Sequence, residues 1–165
     1  MVKKACCLLI IIMITIIIHQ GNAFSQTAHD FVISYGLFDL RKETVFNGRF
    51  EYRMPFKLAI FKPMAGLLIT SRGAGYGYAG LNYDVRLIGP LGLSLNFAAG
   101  GYRKGPGKEL GGVVEFRSGL ELTYQLSPMV RMGAAFHHIS NASLYDYNPG
   151  VESIIYSLIL TPGGH

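Results

Sequence analysis

The sequence predicts an all-β protein, an eight-stranded antiparallel transmembrane β-barrel. Apolar and polar residues alternate with a period of two along most of the chain, as in strands with one face in an apolar environment. The alternating segments run for about ten to fifteen residues, which exceeds the usual globular strand of about five or six and suffices to cross a bilayer at a tilt. Tight connections at one end of the strands and mostly longer ones at the other are typical of an outer-membrane barrel.

The N-terminus reads as a secretory signal peptide. Two lysines precede an apolar run over residues 5–18, and a small-x-small cleavage pattern ends at Ala23. The run is short for a membrane-spanning helix, so we favour cleavage after Ala23, with Ser25 as the second choice, over an uncleaved anchor. The predicted organisation is a signal peptide over residues 1–23 and an outer-membrane β-barrel over residues 24–165.

Charge and cysteine content exclude several function classes. Cleavage would remove Cys6 and Cys7, the only cysteines, so the mature chain has no disulfide and no thiol chemistry. It would leave thirteen Lys and Arg against ten Asp and Glu, a net charge of about +3, without a basic helix for nucleic acid. No cluster of His, Cys and carboxylates has metal-ligand spacing, so we expect no metal and no other cofactor.

Eight segments carry the strand pattern. The clearest case has apolar residues at its even positions and mostly charged ones at its odd positions; the even positions are Phe46, Gly48, Phe50, Tyr52, Met54 and Phe56. The same alternation recurs over residues 76–87, 91–99 and 114–126. The predicted strands, in order, cover about 28–39, 45–56, 59–71, 75–87, 91–102, 112–126, 129–140 and 150–161.

The barrel is expected to be closed and filled. An open sheet would leave unpaired backbone amides in hydrocarbon, and eight strands enclose a space that side chains fill. The charged rows would then lie inside and pair with one another: Arg49, Glu51, Arg53, Asp84, Arg86, Glu115, Arg117 and Glu121. The alternative, a soluble lipocalin-type barrel, would place its apolar residues inside.

The last two strands bring together three chemically active side chains. The apolar row that includes Phe136 continues to His138 and Ser140, so both are predicted to face outward. Glu152 shares an outward row with Ile154 on the next strand, and the strand ends meet at the extracellular rim. A serine, an imidazole and a carboxylate are the parts of a serine hydrolase. Ser140 would be the nucleophile, His138 the general base and Glu152 the group that orients the imidazole.

The turn between these strands supplies candidates for substrate positioning. Asn141, Asn148 and Gly150 are the candidates to hold the oxyanion or to position the substrate. His137 points inward by the same period of two and is interpreted as structural. The alternative interpretation of the whole cluster is three polar residues at a strand end, without a catalytic role.

The residues of this region form a motif: His138-x-Ser140-Asn141-Ala142, then Asn148-x-Gly150-x-Glu152. The motif resembles that of the lipid A 3-O-deacylases of the PagL type, which are eight-stranded outer-membrane barrels with a Ser-His-Glu triad on the lipid-facing exterior. They remove the ester-linked acyl chain at position 3 of lipid A without a metal. The resemblance implies a Gram-negative outer-membrane location, lipid A or lipopolysaccharide as substrate, contact with outer-membrane lipids, and catalysis by Ser140, His138 and Glu152.

Two other functions stay open at this point. One is a non-enzymatic small barrel with a structural or adhesive role, and the other is a membrane phospholipase. A homo-oligomer is also left open.

Overall fold

The structure, a computed structural model, describes residues 28–163 and folds them into a closed barrel. The predicted signal peptide over residues 1–23 lies outside the described residues. Within the described part of the chain, no helix is long and apolar enough to cross a membrane.

The barrel has eight antiparallel strands: β1 Asp30–Phe38, β2 Val45–Arg53, β3 Lys62–Thr70, β4 Gly75–Arg86, β5 Leu91–Arg103, β6 Val114–Ser127, β7 Val130–Ser140 and β8 Val151–Leu160. Each strand pairs with the next in the sequence, and β8 pairs with β1, which closes the sheet. Closure leaves no strand with an unpaired edge, as a wall in hydrocarbon requires. The predicted fold class is confirmed.

The two ends of the barrel differ in their connections. One end, called here the loop end, carries the connections over residues 39–44, 71–74, 104–113 and 141–150. The other end, called here the terminal end, carries the ends of the described chain and the connections over residues 54–61, 87–90 and 128–129. The loop end therefore holds most of the irregular backbone, including the turn between β7 and β8.

The connection between β2 and β3 corrects the sequence-based boundaries. The alternation predicted a tight turn near residues 56–58 and a strand from residue 59, but β3 begins at Lys62. Leu58 and Phe61 instead form a small bridge of their own, with N···O distances of 2.8 and 3.1 Å. Ala59, at the tip, has a left-handed backbone with φ of 57°. Residues 58–61 are all apolar, so the sequence pattern did not reveal this extra turn.

Seven of the eight side chains predicted to line the interior lie inside the barrel, although the buried carboxylate of Glu115 has no hydrogen-bond partner within the described residues. Glu51 lies at the centre of the interior: its Oε1 accepts from Arg53 Nε at 2.9 Å, and its Oε2 accepts from Arg117 Nη2 and the Tyr78 hydroxyl, each at 2.8 Å. Arg86 is the exception, since its side chain is exposed at the terminal end, where its Nε donates to Gly89 O at 3.2 Å. Arg86 is the last residue of β4, so its long side chain reaches out of the barrel mouth.

The outer wall is apolar. Large hydrophobic side chains such as Phe46, Phe50 and Leu122 are exposed on it, whereas the inward rows of the same strands are polar and buried. A water-soluble barrel of the lipocalin type would show the reverse arrangement. The wall is therefore suited to a surrounding of lipid chains.

We expect replacement of Glu51 by glutamine to destabilise the barrel by about 3 kcal/mol, because the fully buried guanidinium of Arg117 loses its counter-charge and that of Arg53 loses one of its carboxylate partners. The chain has no tryptophan, so unfolding would be followed by the electrophoretic mobility of the folded form across a urea series. Glu43→Gln is the matched control, since Glu43 pairs with Arg72 in exposed loops and its loss should change stability by about 0.5 kcal/mol or less. Equal effects of the two substitutions would contradict the structural role of the interior charges.

Candidate active site

The pairing of β7 with β8 places two of the three candidate catalytic residues side by side. His138 and Glu152 are direct register partners across the two strands. Their side chains form a hydrogen bond, with His138 Nδ1 and Glu152 Oε1 3.2 Å apart. Because Nδ1 is hydrogen-bonded to the carboxylate, Nε2 is the ring nitrogen that remains to accept a proton from another group. A carboxylate in this position fixes the tautomer and the orientation of an imidazole.

The third residue, Ser140, ends β7 on the same face as His138. Residues of this row, such as Phe136, are exposed on the outer wall, while His137 and Ile139 between them are buried. Among residues 28–163, no hydrogen bond joins the Ser140 hydroxyl to the imidazole. Such contacts are often long in a free enzyme and tighten when substrate binds, so the serine remains a candidate nucleophile.

Glu152 is more covered than the rest of its outward row. Its side chain is 10% exposed, against 43% for the side chain of His138. The cover is the loop over residues 39–44: Leu40 N donates to Glu152 O at 3.3 Å, and Arg41 Nη2 lies 2.9 Å from Glu152 Oε1. Sequence reasoning missed Arg41, because nothing in the alternation of β1 indicates that the next loop folds over β8.

Asn141 organises the turn between β7 and β8. Its side chain is fully buried, and its Nδ2 donates to Leu110 O and to Tyr147 O, each at 2.9 Å. Its Oδ1 accepts from Ser143 N at 3.0 Å, and its backbone N donates to Asn148 Oδ1 at 3.1 Å. Both donors of the Asn141 side-chain amide are therefore occupied, which leaves this residue a scaffolding role in the present geometry.

Asn148 is the more accessible of the two asparagines. It is exposed, and within the described residues only its Oδ1 is hydrogen-bonded, so its Nδ2 is open to a substrate oxygen. The turn also contains two left-handed residues, Ala142 with φ of 52° and Ser143 with φ of 63°. Such a backbone is costly outside glycine, and it persists where surrounding contacts hold it, often at functional sites.

Gly150, the third positioning candidate, lies against the imidazole. Its φ is +60°, and a Cβ at this position would lie 2.9 Å from His138 Cε1 and 3.6 Å from Nε2. A side chain here would be strained by the backbone and would also push the ring from its place. The absence of a Cβ at Gly150 thus gives His138 the room that it occupies.

We expect Gly150→Ala to lower the rate of any reaction at this site by about tenfold, because a ring displaced by a fraction of an ångström loses its alignment. Gly89→Ala is a matched control: it has a similar φ of +55°, and its Cβ would meet nothing within 4 Å. Both variants carry the same backbone strain, of about 1–2 kcal/mol, so comparing their stabilities and rates isolates the contact with His138. Equal rates for the two variants would show that Gly150 matters only for the backbone.

Within residues 28–163, no group of three His, Cys, Asp or Glu side chains comes close enough together to hold a metal ion. The groups that the structure brings into contact here are an imidazole and a carboxylate, and Ser140 follows His138 by two residues on the same face of β7.

Comparisons with known proteins agree on the family and the fold. A family model described as "Lipid A 3-O-deacylase (PagL)" matches residues 73–161, which include the whole of β4 to β8 and the candidate site. No curated protein sequence matches the chain.

The solved structures that resemble the barrel include an outer membrane enzyme, a designed barrel and a surface protein. The outer membrane enzyme PagL is 14% identical, with a TM-score of 0.64 over 79% of this chain and 98% of that one. A de novo designed transmembrane β-barrel is 7% identical, with a TM-score of 0.62 over 82% and 95%. Neisserial surface protein A (NspA) is 13% identical, with a TM-score of 0.51 over 84% and 99%. At these identities, structural similarity establishes the fold alone, because the same fold carries different functions in different proteins.

Proposed function

The chain belongs to the lipid A 3-O-deacylase (PagL) family of Gram-negative outer-membrane barrels, and from that premise we propose that it hydrolyses the 3-O-linked acyl chain of lipid A. We further propose that Ser140, His138 and Glu152 are its catalytic residues. The observation that carries the proposal is the hydrogen bond between His138 Nδ1 and Glu152 Oε1 beside Ser140, on an apolar outer wall.

The proposed reaction is acyl transfer to serine followed by hydrolysis. Ser140 Oγ attacks the ester carbonyl carbon while His138 Nε2 accepts the hydroxyl proton. Collapse of the tetrahedral intermediate breaks the bond to the sugar oxygen, which leaves as an alcohol with the proton from His138. A water molecule, deprotonated by the same imidazole, then hydrolyses the acyl-serine and releases the fatty acid. Glu152 keeps the ring in its orientation and stabilises the positive charge that the ring acquires.

The oxyanion of the intermediate needs hydrogen-bond donors near Ser140. The Nδ2 group of Asn148 and the backbone of the turn at Gly150 are the donors that we assign to this task. Asn141 would act through the turn, since its own side-chain donors are held by Leu110 O and Tyr147 O.

A site on the outer wall suits a substrate that never leaves the membrane. The loops of an outer-membrane barrel face the outside, so the loop end would lie at the level of the outer leaflet. Acyl chains could then lie along apolar side chains of the wall, such as Phe136 and Ile154, with the ester at the height of Ser140. All three catalytic groups come from one chain, so the proposed reaction needs no homo-oligomer and no cofactor.

The test is the product formed by purified protein. Incubation with lipopolysaccharide should release a 3-hydroxy fatty acid and leave lipid A lighter by that one chain, as read by mass spectrometry. A membrane phospholipase would instead release fatty acid from phospholipid vesicles. A non-enzymatic barrel would release nothing from either substrate.

We expect Glu152→Gln to lower the deacylation rate by about 10²-fold while the barrel still folds, because an uncharged amide orients the imidazole less well and stabilises its cation less. The control is Glu109→Gln, which removes a carboxylate paired with Lys104 in an exposed loop at the same end. A wild-type rate in the Glu152→Gln variant would remove Glu152 from the proposed triad.

A further inference from the structure

The loop over residues 39–44 contacts the candidate site at the carboxylate of Glu152. Arg41 Nη2 lies 2.9 Å from Glu152 Oε1, the same oxygen that lies 3.2 Å from His138 Nδ1. A backbone hydrogen bond from Leu40 N to Glu152 O fixes the loop to β8 at this point. The guanidinium and the imidazole therefore share one carboxylate oxygen.

The loop over residues 39–44 has an ordered conformation that is held by hydrogen bonds of Asp39. Asp39 Oδ2 accepts from Glu43 N at 3.2 Å, and Thr44 Oγ1 donates to Asp39 O at 3.1 Å. Lys108, from the loop between β5 and β6, donates to Asp39 Oδ1 at 2.5 Å. Burial raises the pKa of Asp39, but the hydrogen bond and charge of Lys108 outweigh it and hold that pKa below its usual value. The position of Arg41 is thus set by contacts at both ends of its loop.

The guanidinium faces outward from this anchor. The Arg41 side chain is 73% exposed, whereas the carboxylate that it covers is 10% exposed. Arginine carries five N–H donors in a planar fork, and the contact with Glu152 is made through Nη2, while no hydrogen bond or ion pair within the described residues engages Nε or Nη1. A planar fork of this kind matches the oxygens of a phosphate group.

We propose that Arg41 is a specificity-determining residue that binds a phosphate group carried by the sugar of the substrate. The inference rests on the proposed function, since it assigns the head group of the same lipid whose ester meets Ser140. The fatty chain would lie on the apolar wall and the phosphate would bind at the rim. These two contacts orient the ester bond between them, and the catalytic carboxylate stays shielded from the incoming anion by the guanidinium.

The test compares lipid A with the same lipid A after phosphatase treatment, in detergent micelles. For the wild type, we expect kcat/KM to fall about tenfold when the phosphates are removed, the size expected for a charge-assisted hydrogen bond that is partly solvent-exposed. Arg41→Gln should be about tenfold slower than the wild type on phosphorylated lipid A and should no longer distinguish the two forms. Arg41→Lys should restore a part of the discrimination, because it keeps the charge.

Lys42→Gln is the matched control, since Lys42 is the adjacent exposed cation of the same loop and should keep the wild-type ratio between the two substrates. A wild-type ratio in Arg41→Gln would overturn the inference. An equal loss on both substrates would also overturn it, because it would assign Arg41 to positioning Glu152 alone. No acyl release by the wild type from either form would contradict the proposed function itself, and this inference with it.

Discussion

Ser140→Ala is expected to abolish deacylation, with a rate loss of about 10³-fold or more. The alanine variant has no oxygen to form the acyl intermediate, and water must attack the ester directly without a fixed position. Folding should be unaffected, because Ser140 lies at the end of β7 and its hydroxyl has no hydrogen bond within residues 28–163. The measurement is the release of 3-hydroxy fatty acid from lipopolysaccharide by equal amounts of folded wild-type and variant protein.

Ser71→Ala provides the control for this experiment. Ser71 is an exposed serine in the loop between β3 and β4, and its loss should leave the rate unchanged. Persistent deacylation in Ser140→Ala would mean that another group is the nucleophile, and the proposed triad would be wrong even if the protein is a deacylase.

The second large effect is expected at His138. His138→Ala removes the only imidazole that contacts Glu152 among the described residues, so the rate should fall by about 10³-fold. Serine and base act as one unit, and the double variant with Ser140→Ala should therefore be no slower than either single variant. Both rates would be measured with the same lipopolysaccharide assay.

His29→Ala is the matched histidine control, since His29 is an exposed residue at the terminal end, where it contacts Tyr52. It should keep wild-type activity. Losses at Ser140 and His138 that multiply in the double variant would show that the two side chains act independently, contrary to the proposed mechanism.

The sequence alone predicts most of the barrel because its wall has a simple two-sided environment. The alternation at Phe46, Asn47 and their neighbours reports which face meets the apolar outside, and the strand order follows from antiparallel neighbours. The extra turn at Leu58 to Phe61 escaped prediction because apolar residues continue through it. The exposure of Arg86 was not predicted, because the alternation of a strand tells which way a side chain points but not where the barrel interior ends.

The candidate site likewise has a part that could be predicted from the sequence and a part that could not. The period of two places His138 and Ser140 on one face, and the register of β7 with β8 brings Glu152 to His138, so strand geometry accounts for this part. The buried scaffold of Asn141 depends on contacts with Leu110, in a different loop. The contact of Arg41 depends in the same way on how the loop over residues 39–44 packs against β8. Such contacts between loops leave no periodic trace in a sequence.

The most direct measurement is the identity of the residue that a long-chain alkyl fluorophosphonate labels. An activated serine oxygen attacks the phosphorus of this compound and displaces fluoride, which leaves a stable phosphonate ester on the serine, and peptide mass spectrometry reads its position. We expect an adduct on Ser140 that disappears in His138→Ala and blocks the release of fatty acid from lipid A. An adduct on a different residue, or full deacylation by protein whose Ser140 is fully labelled, would contradict the role of Ser140 as the nucleophile.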